Sequence, residues 1–255
     1  MPLEIITIPC LQDNYAFLAH DTETGATAAI DVPEAGPIAA ALSQRGWTLS
    51  HVLLTHHHWD HVEGLAALLA DHPAQVIGAA ADAHRLPPLD LSLSEGDSFQ
   101  IGNETGHVID VSGHTVGHIA FHFPGSDAVF TADSLMALGC GRVFEGTGPQ
   151  MWASLSKLAA LPDTTIVYSG HEYTATNAAF AMTIEPDNPA LISRIEQVTA
   201  ARAAQTPTVP SALALELATN PFLRAGHRSV QAHVGMEGAD PAAVFTEIRA
   251  RKDRF

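Results

Sequence analysis

Residues 53–63 read LLTHHHWDHVE, and the interpretation of the whole chain starts from this stretch. Four histidines and an aspartate lie between His56 and His61, directly after a short apolar run that favours a buried strand. Titratable side chains in this position add desolvation cost and no packing, so folding alone does not explain them. Imidazole and carboxylate are ligand types for zinc, iron and manganese. The stretch therefore predicts a metal-binding loop.

The spacing within the loop divides its polar residues into two pairs. His56 and His58 are two positions apart, so on an extended segment they point to the same side. Asp60 and His61 are adjacent and project differently, which lets one short loop serve two neighbouring metal positions. The residues between the ligand positions are interpreted as spacers: His57 and Trp59.

Three further candidates follow apolar strands later in the chain. His114 lies in DVSGHTVGH, Asp133 in AVFTADSL and His171 in IVYSGHEY. Each is a polar residue where a buried strand emerges, which is a common position for site residues in layered α/β folds. Any one of these three residues alone is typical of a hydrogen-bonded loop residue. The histidines outside this pattern are interpreted as such structural residues. The joint pattern favours a metal site.

Composition limits the classes of partner. The chain has 255 residues with 28 acidic and 12 basic side chains, for a net charge of −16. This balance argues against nucleic acid and anionic membrane surfaces as partners. No secretory signal or membrane-spanning run is visible, and two cysteines do not indicate a disulfide framework, so we expect a cytoplasmic protein with no obligatory protein partner.

The pattern of secondary structure changes near residue 172. Residues 1–172 alternate strands with short helices, including helices over 36–46 and 61–73, and predict a layered α/β domain. Residues 173–255 are helix-compatible between proline-containing breaks and predict a small helical domain. Four of the twelve basic residues lie in the last seven positions, as either an anion site or favourable charges on a last helical turn.

These motifs resemble those of a known superfamily. THHHWDH is similar to the T-H-x-H-x-D-H signature of the metallo-β-lactamase fold, and SGHTVGH, TADS and SGHEYT resemble its later ligand motifs in the same order. IPCLQDNYAF, GCGRVFEGT, EPDNP, NPFLR and the terminal RARKDRF resemble glyoxalase II, the hydroxyacylglutathione hydrolase family. The resemblance covers the whole chain.

The resemblance implies an αββα sandwich of the metallo-β-lactamase type with a small C-terminal helical domain. It also implies two divalent metal ions per chain, zinc being preferred, with iron or manganese as alternatives. The first ion would be held by His56, His58 and His114, the second by Asp60, His61 and His171, with Asp133 bridging both.

The same resemblance implies hydrolysis of S-D-lactoylglutathione to D-lactate and glutathione, in methylglyoxal detoxification. A hydroxide shared by two metals would attack the thioester carbonyl, oriented by Asp60. The glycine carboxylate of glutathione would be held by Arg142, Tyr173, Arg249 and Lys252. Phe144 departs from the family, which often has an aromatic hydroxyl there.

One alternative comes from a different reaction class. A glutathione persulfide dioxygenase of the same superfamily would hold a single iron and consume oxygen. The long helical C-terminus ending in RKDRF favours the hydrolase.

Overall fold

The computed structural model describes residues Pro2–Phe255. These residues form two compact units. The first unit runs to Asp110 and includes Val116–Thr131, and the second comprises Val111–Thr115 and Ala132–Phe255. None of the helices in this described part of the chain is long and apolar enough to cross a membrane.

The secondary-structure elements are as follows. The strands up to residue 132 are β1 (Glu4–Cys10), β2 (Asn14–His20), β3 (Thr27–Ile30), β4 (His51–Leu53), β5 (Gln75–Ala79), β6 (Leu91–Leu93), β7 (Ser98–Ile101), β8 (Glu104–Asp110), β9 (Ile119–Phe123) and β10 (Ala128–Ala132). The helices among them are α1 (Ala35–Arg45), α2 (Trp59–Val62) and α3 (Leu65–Asp71). The later elements are β11 (Leu135–Met136), β12 (Gly139–Cys140), α4 (Gly148–Ala159), β13 (Ile166–Ser169), α5 (Thr174–Ile184), α6 (Pro189–Ala203), β14 (Ser211–Ala212), α7 (Leu213–Thr219), α8 (Arg228–Val234) and α9 (Pro241–Arg254).

The first unit contains a six-stranded sheet in the order β1 to β6. Strands β1, β2 and β3 pair antiparallel, whereas β3, β4, β5 and β6 pair parallel. The carboxyl ends of the parallel strands therefore meet at one edge of the sheet. Strands β7 to β10 pair antiparallel with one another in a second sheet.

Aromatic side chains join the two sheets within the first unit. Strand β2 is buried at every position, as a strand covered on both faces must be. The rings of Phe17 on β2 and Phe130 on β10 lie 5.6 Å apart, and Phe123 on β9 packs on Phe130 at 6.0 Å. Strand β7 alternates exposed and buried residues, so its Phe99 and Ile101 face inward. The core of this unit lies between its two sheets.

One helix prediction for the first unit is confirmed and another is confirmed only in part. Helix α1 ends at Gly46, whose φ of 66° and backbone N–H bonds to Leu42 and Ser43 form the C-terminal cap. The predicted helix over 61–73 is interrupted between α2 and α3. Gly64 N donates to Val32 O at 2.9 Å, and a Cβ on Gly64 would lie only 2.7 Å from Ala35 N. This close backbone approach breaks the helix.

The second unit is mostly helical. Strands β11 and β12 form a short hairpin, and α4 to α9 supply most of the remaining residues. The prediction that residues 173–255 are helical is confirmed except at β14, which pairs antiparallel with β13. The longer helices α6 and α9 begin at capping side chains, Asn188 and Asp240, each accepting hydrogen bonds from two backbone N–H groups.

Candidate functional site

Three loops of the first unit carry polar residues at one edge of its parallel strands. Asp31 directly follows β3, the residues His56–His61 follow β4, and Asp82 follows β5. Because β3, β4 and β5 are neighbouring parallel strands, their carboxyl ends bring these loops side by side. The sheet topology thus gathers histidines and carboxylates that are distant in sequence.

The loop after β4 brings the predicted ligands of the first unit together. His56 and His61 are fully buried. His56 Nε2 lies 3.1 Å from His58 Nδ1, and His61 Nε2 lies 3.9 Å from Asp60 Oδ2. Two ligand atoms on one tetrahedral ion, each about 2.0–2.2 Å from it, are about 3.3–3.6 Å apart. The loop therefore presents donor atoms at separations close to those of shared ligands.

Asp31 orients two of these histidines. Its Oδ1 accepts from Thr55 N at 2.9 Å, and its Oδ2 accepts from Thr55 Oγ1 and His61 Nδ1, each at 2.8 Å. Because the Thr55 hydroxyl donates to Asp31, it accepts the contact from His56 Nδ1 at 3.0 Å. His56 and His61 are therefore both protonated at Nδ1, which leaves their Nε2 lone pairs as metal donors.

Replacing Asp31 by Asn is expected to weaken metal binding about 10- to 100-fold. The carboxylate accepts at both of its oxygens, from Thr55 N at Oδ1 and from Thr55 Oγ1 and His61 Nδ1 at Oδ2. An amide has one acceptor oxygen and must turn its NH2 towards one of these donor sets, which weakens the orientation of both imidazoles. Asn also tolerates the left-handed backbone of Asp31, whose φ is 55°. The measurement is competition with a chromogenic chelator. Asp71→Asn, an exposed carboxylate change in the same unit, is the control and should bind metal as the parent chain does.

Asn14 fixes the other carboxylate of the loop. Its side-chain amide donates to Asp60 Oδ2 at 3.1 Å and to the Asp60 carbonyl at 3.0 Å. Asn14 is almost fully buried, so the amide has little freedom to turn. The orientation of the Asp60 carboxylate thus depends on a residue 46 positions away.

One of the two spacer positions, His57, contacts another loop of the first unit. His57 Nδ1 lies 2.8 Å from Asp82 Oδ2, and Arg85 Nε donates to Asp82 Oδ1 at 2.6 Å. Trp59 is 65% exposed. His118, interpreted as structural from sequence, is fully buried and stacks on the ring of His56 at 4.5 Å. The contact of His57 with Asp82 thus holds the loop between its ligand positions, and His118 packs on the predicted ligand His56.

In the second unit, Asp133 lies between two predicted ligands. Its Oδ2 is 3.4 Å from His114 Nε2, and its Oδ1 is 3.3 Å from His171 Nε2. All three residues are buried. Asp133 directly follows β10, and Gly170 N donates to Ala132 O at 3.1 Å, which joins the ends of β10 and β13. The strand-end positions predicted for Asp133 and His171 are confirmed.

The loop after β12 orients His114. Its Nδ1 donates to the Arg142 carbonyl at 2.8 Å, which leaves the Nε2 lone pair facing Asp133. Gly141 makes this contact possible, because a Cβ there would overlap the Asp133 carbonyl oxygen and lie 3.0 Å from His114 Nδ1. The second glycine of the GCGR stretch, Gly141, is therefore required because no side chain fits at this position.

The residues of both units fit divalent metal ions chemically. Each set offers imidazole nitrogens and carboxylate oxygens, the donors that zinc, iron and manganese accept in proteins. In each set an acceptor oxygen favours the histidine tautomer with hydrogen on Nδ1, at His61 and at His114, so the Nε2 lone pair serves as the metal ligand. Such orientation by a second partner is common among metal-binding histidines.

The predicted anion-binding arginines share one carboxylate in the second unit. Asp253 Oδ1 accepts a hydrogen bond from Arg142 Nε at 3.2 Å and forms an ion pair with Arg249 Nη2 at 3.0 Å. Arg249 also donates to the Cys140 carbonyl at 2.9 Å and lies over the ring of Phe222. The buried guanidinium of Arg249 is therefore fixed from three sides.

Lys252 lies beside this pair. Its ammonium is 5.2 Å from the ring centroids of both Phe180 and Phe255 and donates to the Thr176 carbonyl at 3.2 Å. Burial, together with the nearby charge of Arg249, lowers the pKa of Lys252 to about 8. The two cations together form a positive region on α9.

The remaining predicted substrate-binding residue and its neighbours are aromatic. Tyr173 stacks on the ring of His171 at 4.6 Å and is 39% exposed. Phe144, where the family often has an aromatic hydroxyl, packs edge-on against His114 at 5.3 Å and is 60% exposed. Both rings therefore contact a candidate metal ligand while facing solvent.

Sequence reasoning did not identify four polar residues that hold the candidate site residues. They are Asp31, Asn14, Asp82 and Asp253. Asp31 carries the same strand-end signal as Asp133, so it was accessible from the sequence. The other three contact their candidate site residues across 25 to 111 positions, apart from the pairing of Asp253 with Arg249 four residues earlier.

Two family models together match residues 21–255 of the chain. The metallo-beta-lactamase superfamily model matches residues 21–171, and the model described as hydroxyacylglutathione hydrolase C-terminus matches residues 172–255. The superfamily that this model describes implies divalent-metal binding, in agreement with the histidine nitrogens and carboxylate oxygens found in both units.

Curated and solved relatives agree with these matches. A hydroxyacylglutathione hydrolase from Jannaschia sp. (strain CCS1) is 69% identical, covering 99% of this chain and 98% of that protein. The crystal structure of ETHE1 from Myxococcus xanthus is 24% identical, with a TM-score of 0.67 over 99% of this chain and 98% of its own. The structure of TTHA1623 in a di-iron-bound form is 25% identical, with a TM-score of 0.63 over 86% of this chain and 100% of its own.

These findings confirm the predicted fold class. The chain has the metallo-β-lactamase fold with a C-terminal helical domain. They also confirm that it is a hydrolase of this superfamily, membership of which implies divalent-metal binding.

Proposed function

Because the chain belongs to the hydroxyacylglutathione hydrolase family, we propose that it hydrolyses S-2-hydroxyacylglutathione, releasing D-lactate and glutathione from S-D-lactoylglutathione. The observation that carries the proposal is the 69% identity to a hydroxyacylglutathione hydrolase over nearly the whole chain. This identity favours the hydrolase over the persulfide dioxygenase. The reaction places the chain in methylglyoxal detoxification.

The proposal assigns two metal ions, zinc being preferred, to seven ligands. One ion would be held by His56, His58 and His114, the other by Asp60, His61 and His171, with Asp133 on both. Support comes from the donor spacing in each set and from the two oxygens of Asp133 facing different histidines. When bound, the ions supply a Lewis acid for the thioester carbonyl and lower the pKa of a bound water.

The protein's own residues orient the reactants. Asp60, held by Asn14, would orient the attacking water through its carboxylate. Water adds to the carbonyl carbon, the carbon–sulfur bond breaks, and glutathione leaves as its thiolate. Because the carboxylate of Asp60 is fixed before substrate binds, little reorganisation is required at the reacting carbon.

The glycine carboxylate of glutathione requires cationic and hydroxyl donors. We assign these roles to Arg142, Arg249, Lys252 and Tyr173. The convergence of Arg142 and Arg249 on one carboxylate oxygen supports this assignment, since a guanidinium group favours carboxylate partners. Phe144 supplies no hydroxyl, so the guanidinium groups carry more of the recognition.

We also propose that the chain has two domains, divided after residue 172, and that the protein is cytoplasmic. The catalytic domain would comprise residues 1–172 and the substrate-binding domain residues 173–255, which the family-model boundary at 171 and 172 supports. The cytoplasmic proposal is supported by two free, buried thiols, Cys10 and Cys140, whose pKa values burial raises to about 11.

The affinity for substrate is expected to fall as the pH rises through the pKa of Lys252. A lysine is charged below its pKa, and this one is lowered to about 8, so most of its charge is lost by pH 9. Loss of the charge-assisted hydrogen bond from Lys252 should raise KM about 10-fold or more. The KM of wild type at pH 9 should therefore approach the KM of Lys252→Ala. Lys252→Arg stays charged and should flatten the pH dependence of KM. A wild-type KM that is constant from pH 7 to 9 would contradict the role of Lys252.

The function is tested by an assay of S-D-lactoylglutathione after chelation, with stepwise return of zinc, iron or manganese. We expect hydrolysis to vanish on chelation and to return as about two metal equivalents bind. Oxygen uptake with glutathione persulfide is measured in parallel. Oxygen consumption with a single bound iron, and no thioester hydrolysis, would favour the dioxygenase instead.

A further inference from the structure

We propose that Asp253 is a specificity-determining residue that competes with the substrate carboxylate for Arg142 and Arg249. The inference rests on the proposed function, which assigns these arginines to the glycine carboxylate of glutathione. In the structure the same donors already hold a carboxylate that belongs to the protein.

A single oxygen of Asp253 receives both guanidinium groups. Its Oδ1 accepts a hydrogen bond from Arg142 Nε at 3.2 Å and forms an ion pair with Arg249 Nη2 at 3.0 Å. Arg249 lies one helical turn before Asp253 on α9, whereas Arg142 is 111 positions away. Two guanidinium groups from distant segments thus converge on one anionic atom, which is the arrangement that a ligand carboxylate would receive.

The three side chains differ in their freedom to exchange partners. The side chain of Arg249 is 9% exposed and is held by the Cys140 carbonyl, whereas those of Arg142 and Asp253 are 55% and 36% exposed. Asp253 and Arg142 can therefore rotate into solvent, while Arg249 stays in place with one Nη2 donor. A ligand carboxylate can replace Asp253 at that donor.

The charges determine what the competition selects. Arg142, Arg249 and Lys252 carry three positive charges, and Asp253 offsets one of them. A carboxylate ligand breaks the ion pair between Asp253 and the two arginines and forms a new ion pair with those arginines. A neutral ligand breaks the same pair and forms no ion pair in its place. Asp253 therefore disfavours neutral ligands, at the cost of some affinity for anionic ones.

The test measures the dissociation constant of S-methylglutathione, a thioether that cannot be hydrolysed, by calorimetry on the metal-loaded protein. Asp253→Asn should bind it about two- to fivefold more tightly than wild type at low ionic strength. The gain should vanish at about 1 M salt, which screens partly exposed charges, and for the glycine-amide analogue of the same ligand. Asp253→Ala should behave as Asp253→Asn does.

The matched control is Glu247→Gln. It makes the same change in net charge on the same helix, where Glu247 pairs with Arg251 four residues later. Its affinity should equal that of wild type. Equal or weaker binding by both Asp253 variants, or an equal gain by Glu247→Gln, would overturn the competition. Thioester hydrolysis by wild type is measured separately, so its absence would overturn the proposed function while the binding comparison still decides the role of Asp253.

Discussion

Asp133→Ala is expected to lose bound metal and to reduce kcat/KM for S-D-lactoylglutathione at least about 1,000-fold. The two carboxylate oxygens of Asp133 face His114 and His171 at 3.4 and 3.3 Å, so its removal affects both proposed ions at once. Metal-ion polarisation supplies several kcal/mol of transition-state stabilisation, and about 1.4 kcal/mol corresponds to each tenfold in rate.

Elemental analysis and activity are measured on the same Asp133→Ala sample. Asp163→Ala removes an exposed carboxylate of the same unit and is the matched control, with metal content and kcat/KM unchanged. Two metal equivalents retained by Asp133→Ala would remove Asp133 from the ligand set. The thermal midpoint of each variant with chelator present separates metal loss from unfolding, since the two apo proteins should melt within a few degrees of each other.

Glu216→Ala is expected to lower the free energy of unfolding by about 3–5 kcal/mol, because it leaves a buried cation without its counter-charge. Glu216 is fully buried and forms an ion pair with the buried Arg194. It also accepts from Ser211 Oγ at 2.6 Å, from Leu138 N at 2.9 Å and from Asn220 Nδ2 at 3.1 Å. Four donors thus converge on one carboxylate.

The reason for this loss can be separated from packing by a double variant. Replacing the pair together, as Arg194→Met with Glu216→Leu, removes both charges and should recover much of the stability lost in Glu216→Ala. Urea denaturation of the metal-loaded proteins is the measurement. Equal instability of the single and double variants would assign the effect to the hydrogen bonds of Leu138 and Asn220 instead of the uncompensated arginine.

The parts of the fold and site that the sequence predicts are those with local signals. The end of α1 follows from Gly46, and the ligand loop follows from the spacing of His56, His58 and Asp60. The interruption at Gly64 could not be predicted, because it arises from backbone approach to the segment before α1. A helical pattern in the sequence does not report which neighbour the helix meets.

The polar partners of the candidate ligands could not be predicted from local sequence patterns for the same reason. Asn14 holds Asp60 across 46 positions and Asp31 holds His61 across 30, and each contact requires the completed sheet. Conversely, the substrate-binding assignment of Arg249 came from resemblance, and the structure adds the carboxylate that shares its donors, Asp253. The ligands are visible in the sequence because metal chemistry restricts residue type, whereas many residues can serve as a hydrogen-bond partner.

The tight approach at Gly141 has a consequence for engineering this chain towards other thioesters. A library that varies the loop after β12 should leave position 141 as glycine, since any side chain there displaces the Asp133 carbonyl and His114 together. The neighbouring side chains of Arg142 and Phe144 are largely exposed and can be diversified without that conflict. Positions 142 and 144 both follow this fixed glycine, and position 142 carries an arginine assigned to the glycine carboxylate, so a saturation library at position 144 searches this loop without removing that donor.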